Sequence, residues 1–388
     1  MIIEESDRIK KISEYFFSIK MKEIRDLEKQ GIKIINLGIG NPDLPPPSGV
    51  INKMKKASEL NCANSYQISI GIDELRNSIS NWYKNIYDVI IDPNEEILPL
   101  IGSKEGIMHI SMCYLNKGDE VLIPNPGYPT YSSISKLLGA NIIYYNLYEK
   151  NNWLPNLKVL DSMNLTKVKI MWINYPHMPT GANIDLKKLE EIISLAIKNN
   201  ILLVYDNPYS CITEKYYNFL SIFNAKNSRK IALELNSLSK NYNMPGWRVG
   251  MVIGNKNFIR NILKVKSQMD SGMYYPIQMG AIEAMKNNKT KDWFIILHKE
   301  YTKRRKIIWE ICDLLNIRYS KKNNSGIFVW AKLNNNDNDI MWSEKILKKY
   351  NIFITPGRVF GNNGKGYVRI SICCPINILI EAKNRISL

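Results

Sequence analysis

The chain has 388 residues, 45% of them hydrophobic, and a formal net charge of +17. That length allows a large buried core and exceeds one average domain, so a major lobe with a smaller one is expected. The lysines are dispersed among Asn, Ile and Tyr, which argues against a nucleic-acid protein, and no run approaches the roughly 20 apolar residues that span a bilayer.

The six cysteines (Cys62, Cys113, Cys211, Cys312, Cys373, Cys374) have no CxxC spacing, so neither a disulfide frame nor a zinc site is expected, and a reducing cytoplasm fits best. Three histidines, His109, His177 and His298, are little material for a metal cluster or a histidine-centred triad. No metal is expected.

In chain order, the first candidate feature is Asn41-Pro42-Asp43-Leu44-Pro45-Pro46-Pro47. Its prolines remove donors and fix the backbone, so it reads as an irregular crossing between lobes. Ile72, Leu75, Ile79, Trp82, Tyr83 and Ile86 then recur at helical spacing. From Ile97 to Gly254, short apolar runs alternate with amphipathic ones, the pattern of a mostly parallel sheet covered by helices.

Candidate strands are 119–123, 141–145, 168–173, 201–206, 231–235 and 249–253, several too apolar to be exposed on either face. Between them, Asp185 caps a helix predicted over 186–198. Beyond residue 280 the pattern changes to a long helix near 291–315 and strands near 326–332, 352–355 and 367–372, with a helix between them and a loop over the Asn-rich run 334–338. The fold class is α/β, with a second, smaller α+β domain. The expected division is an N-terminal segment 1–45 joining the small lobe and crossing the site, a large domain 46–279 and a small domain 280–388.

The most informative string is Ser237-Leu238-Ser239-Lys240, followed eight positions later by Arg248. Hydroxyls and a guanidinium can hold a phosphate dianion beside an amine that must lose its proton to act as a nucleophile. Taken alone, such a lysine is most often a solvated surface group. Here SLSK-x7-R-x-G resembles the cofactor-lysine motif of the class I and II aminotransferases, the aspartate aminotransferase group of pyridoxal-phosphate enzymes. The resemblance continues along nearly the whole chain in the family's order.

What it implies is a fold-type I enzyme with a mostly parallel, seven-stranded sheet. Pyridoxal 5'-phosphate would be bound as a Schiff base on Lys240, and an amino group would move between an L-amino acid and a 2-oxo acid such as 2-oxoglutarate. Asp206 and Tyr209, in Val-Tyr-Asp-Asn-Pro-Tyr, match the family's pair for the pyridine nitrogen and the phenolic oxygen. A carboxylate there keeps the ring protonated and electron-withdrawing. Ser103 and Lys104, in Gly-Ser-Lys-Glu-Gly, match the second phosphate contact, where a helix N-terminus meets an anion. With Ser237, Ser239 and Arg248 they complete the phosphate set.

Tyr128, in Asn-Pro-Gly-Tyr-Pro, matches the aromatic residue stacked on the ring. Tyr66 resembles the tyrosine that reaches the phosphate of a neighbouring subunit, which implies a homodimer with shared sites. Arg369, in Tyr-Val-Arg-Ile-Ser, matches the arginine that binds the substrate α-carboxylate with its planar fork. Gly40 matches the glycine passing over that carboxylate. Tyr15 and the Gly-Ser-Lys-Glu-Gly string look like the LL-diaminopimelate branch, and the side-chain pocket stays open between aspartate, a diaminopimelate-type substrate and other amino acids.

Two positions depart from the pattern. Met178 stands where the family has an Asn that donates to the ring oxygen, and a thioether cannot donate. Tyr275 stands where the diaminopimelate branch has Asn. The alternatives on the same scaffold are a carbon–sulfur lyase and a non-catalytic cofactor-binding regulator, the latter without any helix-turn-helix extension.

Overall fold

The computed structural model describes residues 3–213, 219–322, 324–334 and 338–388, and only the backbone of 287–289. Most of the expected Asn-rich loop, 335–337, lies outside the described residues.

A seven-stranded sheet forms the centre of the larger lobe. Its strands in chain order are β1 Ile97–Leu100, β2 Glu120–Asn125, β3 Asn141–Asn146, β4 Val168–Asn174, β5 Leu202–Asp206, β6 Ala232–Ser237 and β7 Gly250–Gly254. They lie in the order β1-β7-β6-β5-β4-β2-β3. All neighbours are parallel except β7, which runs antiparallel to β1 and β6.

Burial on both faces explains the continuous apolar runs. On β4, Ile170 and Trp172 enter one core while Met171 and Ile173 enter the other, and β5 alternates likewise. The helix Leu186–Lys198 begins where the sequence predicts, with the Asp185 carboxylate accepting the Lys188 N–H at 2.7 Å. Its Leu189, Ile192, Ile193 and Ala196 stripe is buried. The helix Asp73–Tyr87 buries Leu75, Ile79, Trp82 and Tyr83, the stripe its spacing predicts.

The second unit is a four-stranded antiparallel sheet of β8 Arg318–Tyr319, β9 Phe328–Lys332, β10 Thr355–Pro356 and β11 Tyr367–Ser371, in the order β10-β11-β9-β8. The helix Asn287–Leu314 packs against β8, β9 and the C-terminal helix Ile376–Ser387. The single strand expected near 352–355 is two. Ile352–Phe353 pairs in parallel with Ile35–Asn36, and the chain then turns at Ile354 so that Thr355–Pro356 pairs with β11. This pairing brings the N-terminal segment to the smaller sheet.

The proline-rich crossing has no regular structure and is fixed by side chains. Asp43 accepts from Arg304 Nη1 at 2.5 Å, and the Leu44 N–H donates to Asn243 Oδ1 at 3.2 Å.

Candidate active site

The C-terminal ends of parallel strands are where a doubly wound sheet offers ligand sites, and a cavity of about 370 Å³ lies there, against the smaller sheet. Tyr15, Gly40, Ser103, Lys104, Tyr128, Asp206, Tyr209, Ser237, Ser239, Lys240, Arg248 and Arg369 all line it. Of the residues expected from the sequence only Tyr66 does not. It is 93% exposed and outside the cavity of its own chain.

Lys240 sits in the short helix Leu238–Asn241 that follows β6. Its Nζ donates to the Gly40 carbonyl at 2.5 Å. Burial lowers its pKa to about 8, the Arg369 and Arg248 charges push the same way, and Cys373 opposes them. An amine so placed is partly neutral near physiological pH, as a nucleophile requires. Gly40 has to be glycine for a steric reason, because a Cβ there would collide with the Phe328 ring.

Asp206 ends β5 and is buried. Its Oδ2 accepts from the Tyr131 hydroxyl at 2.5 Å, while Oδ1 has no partner among the described residues. Burial raises its pKa to about 6, against the Tyr131 hydrogen bond. Sequence reasoning missed Tyr131. It lies three positions after Tyr128, and it stacks on Trp172 of β4 with ring centroids 4.9 Å apart. Asn174, also missed, lines the cavity and donates to the Asp206 carbonyl at 2.6 Å.

At the opposite end of the cavity, Gly102 has φ +83° and its missing Cβ makes room for the Arg248 guanidinium. The helix Ser103–Tyr114 starts at that turn, so its first N–H groups and the dipole's positive end face the cavity wall. Ser237 Oγ donates to Ser239 Oγ at 2.9 Å. Burial, then the Arg248 charge, lowers the Lys104 pKa. The Lys104 ammonium lies 4.8 Å from the centre of the Tyr15 ring.

Arg369, on β11, is buried among rings. Its guanidinium lies 3.8 Å from the centre of Phe328, 4.6 Å from Phe360 and 5.3 Å from Phe17. Burial lowers its pKa to about 10, against the neighbouring Tyr209, Tyr15, Cys373 and Tyr128. Nη2 donates to the Gly38 carbonyl at 2.6 Å, and Nε has no partner among the described residues. Only the strand spacing could have announced Phe328, and the packing of the three rings is tertiary. Met178 lines the cavity, whereas Tyr275, the first residue of the helix Tyr275–Ala284, does not line it.

Residues 32–385 match the family described as aminotransferase class I and II. The chain belongs to that family. The aminotransferase is 38% identical to the LL-diaminopimelate aminotransferase of Halothermothrix orenii, over 99% of this chain and 98% of the relative. It is 35% identical to the protein of the same name from Moorella thermoacetica, over 99% and 98%.

Among solved structures it superposes on BacF of Bacillus subtilis with TM-score 0.93 and 33% identity, covering 100% and 98% of the two chains. An aminotransferase of Staphylococcus aureus gives TM-score 0.87 at 27% identity, covering 99% and 98%. The fold is therefore fold-type I, the chain is an enzyme that transfers amino groups, and its cofactor is pyridoxal 5'-phosphate.

The residues of the cavity fit that cofactor. A buried carboxylate oxygen without a partner suits a protonated ring nitrogen. The turn at Gly102, with Arg248 and two serine hydroxyls, suits a phosphate dianion, and a lysine of lowered pKa stands between them.

Among the described residues all six cysteines are free thiols, and no helix is long and apolar enough to cross a membrane.

Proposed function

We propose that this aminotransferase takes the amino group of a diaminopimelate-type L-amino acid and passes it to 2-oxoglutarate, working in the cytoplasm as a homodimer. The observation that carries the reading is the convergence of Lys240, Asp206 and Arg369 on one cavity. The substrate rests on the relatives' printed names and on Tyr15 beside Lys104 at the cavity wall. The reading includes a cofactor-binding domain 46–279 and a small domain 280–388, with 1–45 crossing the site, and the presence of two separate larger sheets supports it.

Bound pyridoxal phosphate supplies an electron sink for the bond broken at the substrate α-carbon. Lys240 attaches the cofactor. Its Nζ, an amine of lowered pKa, would be the base that holds and moves the proton at the substrate α-carbon. The Gly40 carbonyl, which accepts from Nζ at 2.5 Å, limits where that amine can point.

Arg369 holds the α-carboxylate, with Nε the donor left unpaired among the described residues. The surrounding rings exclude water from that ion pair and so strengthen it. Asp206 keeps the ring nitrogen protonated and is itself oriented by Tyr131. Tyr128 and Tyr209, both lining the cavity, would hold the cofactor ring, Tyr209 as the donor for its phenolic oxygen. Ser103, Lys104, Ser237, Ser239 and Arg248 hold the phosphate, and Tyr66 reaches the phosphate held by a second copy.

A panel of amino donors with 2-oxoglutarate, followed by glutamate formation, tests the substrate. LL-diaminopimelate should turn over fastest. Turnover of aromatic amino acids or aspartate with none of diaminopimelate would discard that assignment.

A further inference from the structure

Glu105, His109 and Asp270 bring ligand-type atoms together as a metal site would, but the position of a cation is taken. Lys266, the last residue of the helix Lys256–Lys266 and only 2% exposed, places its ammonium 3.0 Å from Glu105 Oε1 and 2.7 Å from Asp270 Oδ2. His109 Nε2 lies 2.6 Å from the same Glu105 oxygen. A buried ammonium held between two half-buried carboxylates persists only when its hydrogen bonds are made. Each carboxylate uses its second oxygen on backbone.

Glu105 Oε2 accepts the N–H of Ile101, the residue before Gly102. The carboxylate therefore closes the strand-to-helix turn whose next residues are the cavity-lining Ser103 and Lys104. That turn has no slack on its other sides, since a Cβ on Gly102 would enter Arg248 and one on Gly250 would lie 2.5 Å from the Ser103 nitrogen. Asp270 Oδ1 accepts the Gly272 N–H at 2.8 Å, and its carbonyl accepts the Ser69 hydroxyl at 2.9 Å. The loop at Gly272 lies against the backbone of Gln67 and Ile68, next to Tyr66.

We propose that Lys266 is a positioning residue for cofactor phosphate binding. Through Glu105 it fixes the turn 101–104, and through Asp270 it fixes the segment that carries Tyr66. It touches no reacting atom. The inference rests on the phosphate cradle proposed above. A buried ammonium with two charge-assisted partners differs from packing in its consequence, because its loss should be felt where the phosphate binds and not elsewhere in the cavity.

The test compares pyridoxal 5'-phosphate with pyridoxal, which has the aldehyde and ring but no phosphate, in absorbance titrations of the apoenzyme. Lys266→Met is the direct variant. Glu105→Gln and Asp270→Asn keep shape and volume should it fail to fold. In folded variants the affinity for pyridoxal 5'-phosphate should fall about tenfold or more while that for pyridoxal stays within about twofold, as loss of one charged hydrogen bond implies.

Equal losses for both aldehydes, or no loss for either, in a folded variant would overturn the positioning role. A wild type that binds the two aldehydes equally would instead discard the cradle itself, and with it the basis of the inference.

Discussion

Arg369 donates through Nη1 to the thioether sulfur of Met178 at 3.3 Å. The arginine proposed to grip the substrate is thus steadied by the Gly38 carbonyl, by a weak sulfur acceptor and by aromatic faces, and a thioether at position 178 cannot donate onward to the ring oxygen. Restoring Asn at 178 would supply both a stronger acceptor for Arg369 and a donor to the phenolic oxygen. We expect Met178→Asn to move the pH midpoint of the bound cofactor's absorbance change to lower pH, because a donor at that oxygen draws charge from the adjoining nitrogen. Superimposable titration curves for wild type and variant would refute this.

Arg369→Lys removes the planar fork while keeping a charge. The amine cannot reproduce the Nη2 contact to Gly38 and also present a second donor to a carboxylate. KM for the amino acid should rise roughly tenfold to a hundredfold, the range for charged hydrogen bonds. An unchanged KM would place the carboxylate elsewhere.

Asp206 makes a pH prediction of definite sign. Its pKa in the fold without cofactor, about 6, lies above the ordinary 3.8. Between those values the native state holds a proton that the unfolded chain has released, so stability falls as pH rises through that window. The loss approaches about 3 kcal/mol by neutral pH, at 1.36 kcal/mol per unit. Apoenzyme melting curves of wild type and Asp206→Asn should diverge from pH 4 to pH 7, with the wild type losing more. Parallel curves would mean that the carboxylate is not desolvated.

Lys240 gives a second pH dependence. Its ammonium is favoured below about 8, so the rate at which apoenzyme captures pyridoxal phosphate should rise with pH and level off above that value. Lys240→Ala should abolish turnover. A capture rate that is flat from pH 6 to 9 would remove Lys240 from that role.

Tyr66 offers a test of the shared-site homodimer. Lys240→Ala and Tyr66→Phe each impair both sites of a homodimer, but a hybrid of the two chains contains one site with an intact Lys240 and an intact Tyr66. Mixing and re-equilibrating the two variants should recover activity lost by each alone. No recovery from verified hybrids would show that Tyr66 acts within its own chain or not at all.

Local pattern determined a good deal. The doubly buried strands of the larger sheet were readable because each run is apolar on both faces, and the helix Leu186–Lys198 because its cap and its stripe are both local. The cofactor lysine stood out because serines and an arginine at fixed spacing constrain one phosphate. Where a residue's role comes from its neighbours in sequence, the sequence carries it.

Contacts between distant segments were decided only by the tertiary structure. The antiparallel direction of β7 and the split of the strand at Ile354 depend on which edge is free when the chain returns. Tyr131 becomes a partner of Asp206 only when Trp172 backs it, and Arg369 finds its aromatic surround from residues 17, 328 and 360. Lys266 reads as one more helical lysine until its ammonium is buried between Glu105 and Asp270. Burial and charge pairing arise from packing across long sequence separations, and no local periodicity records them.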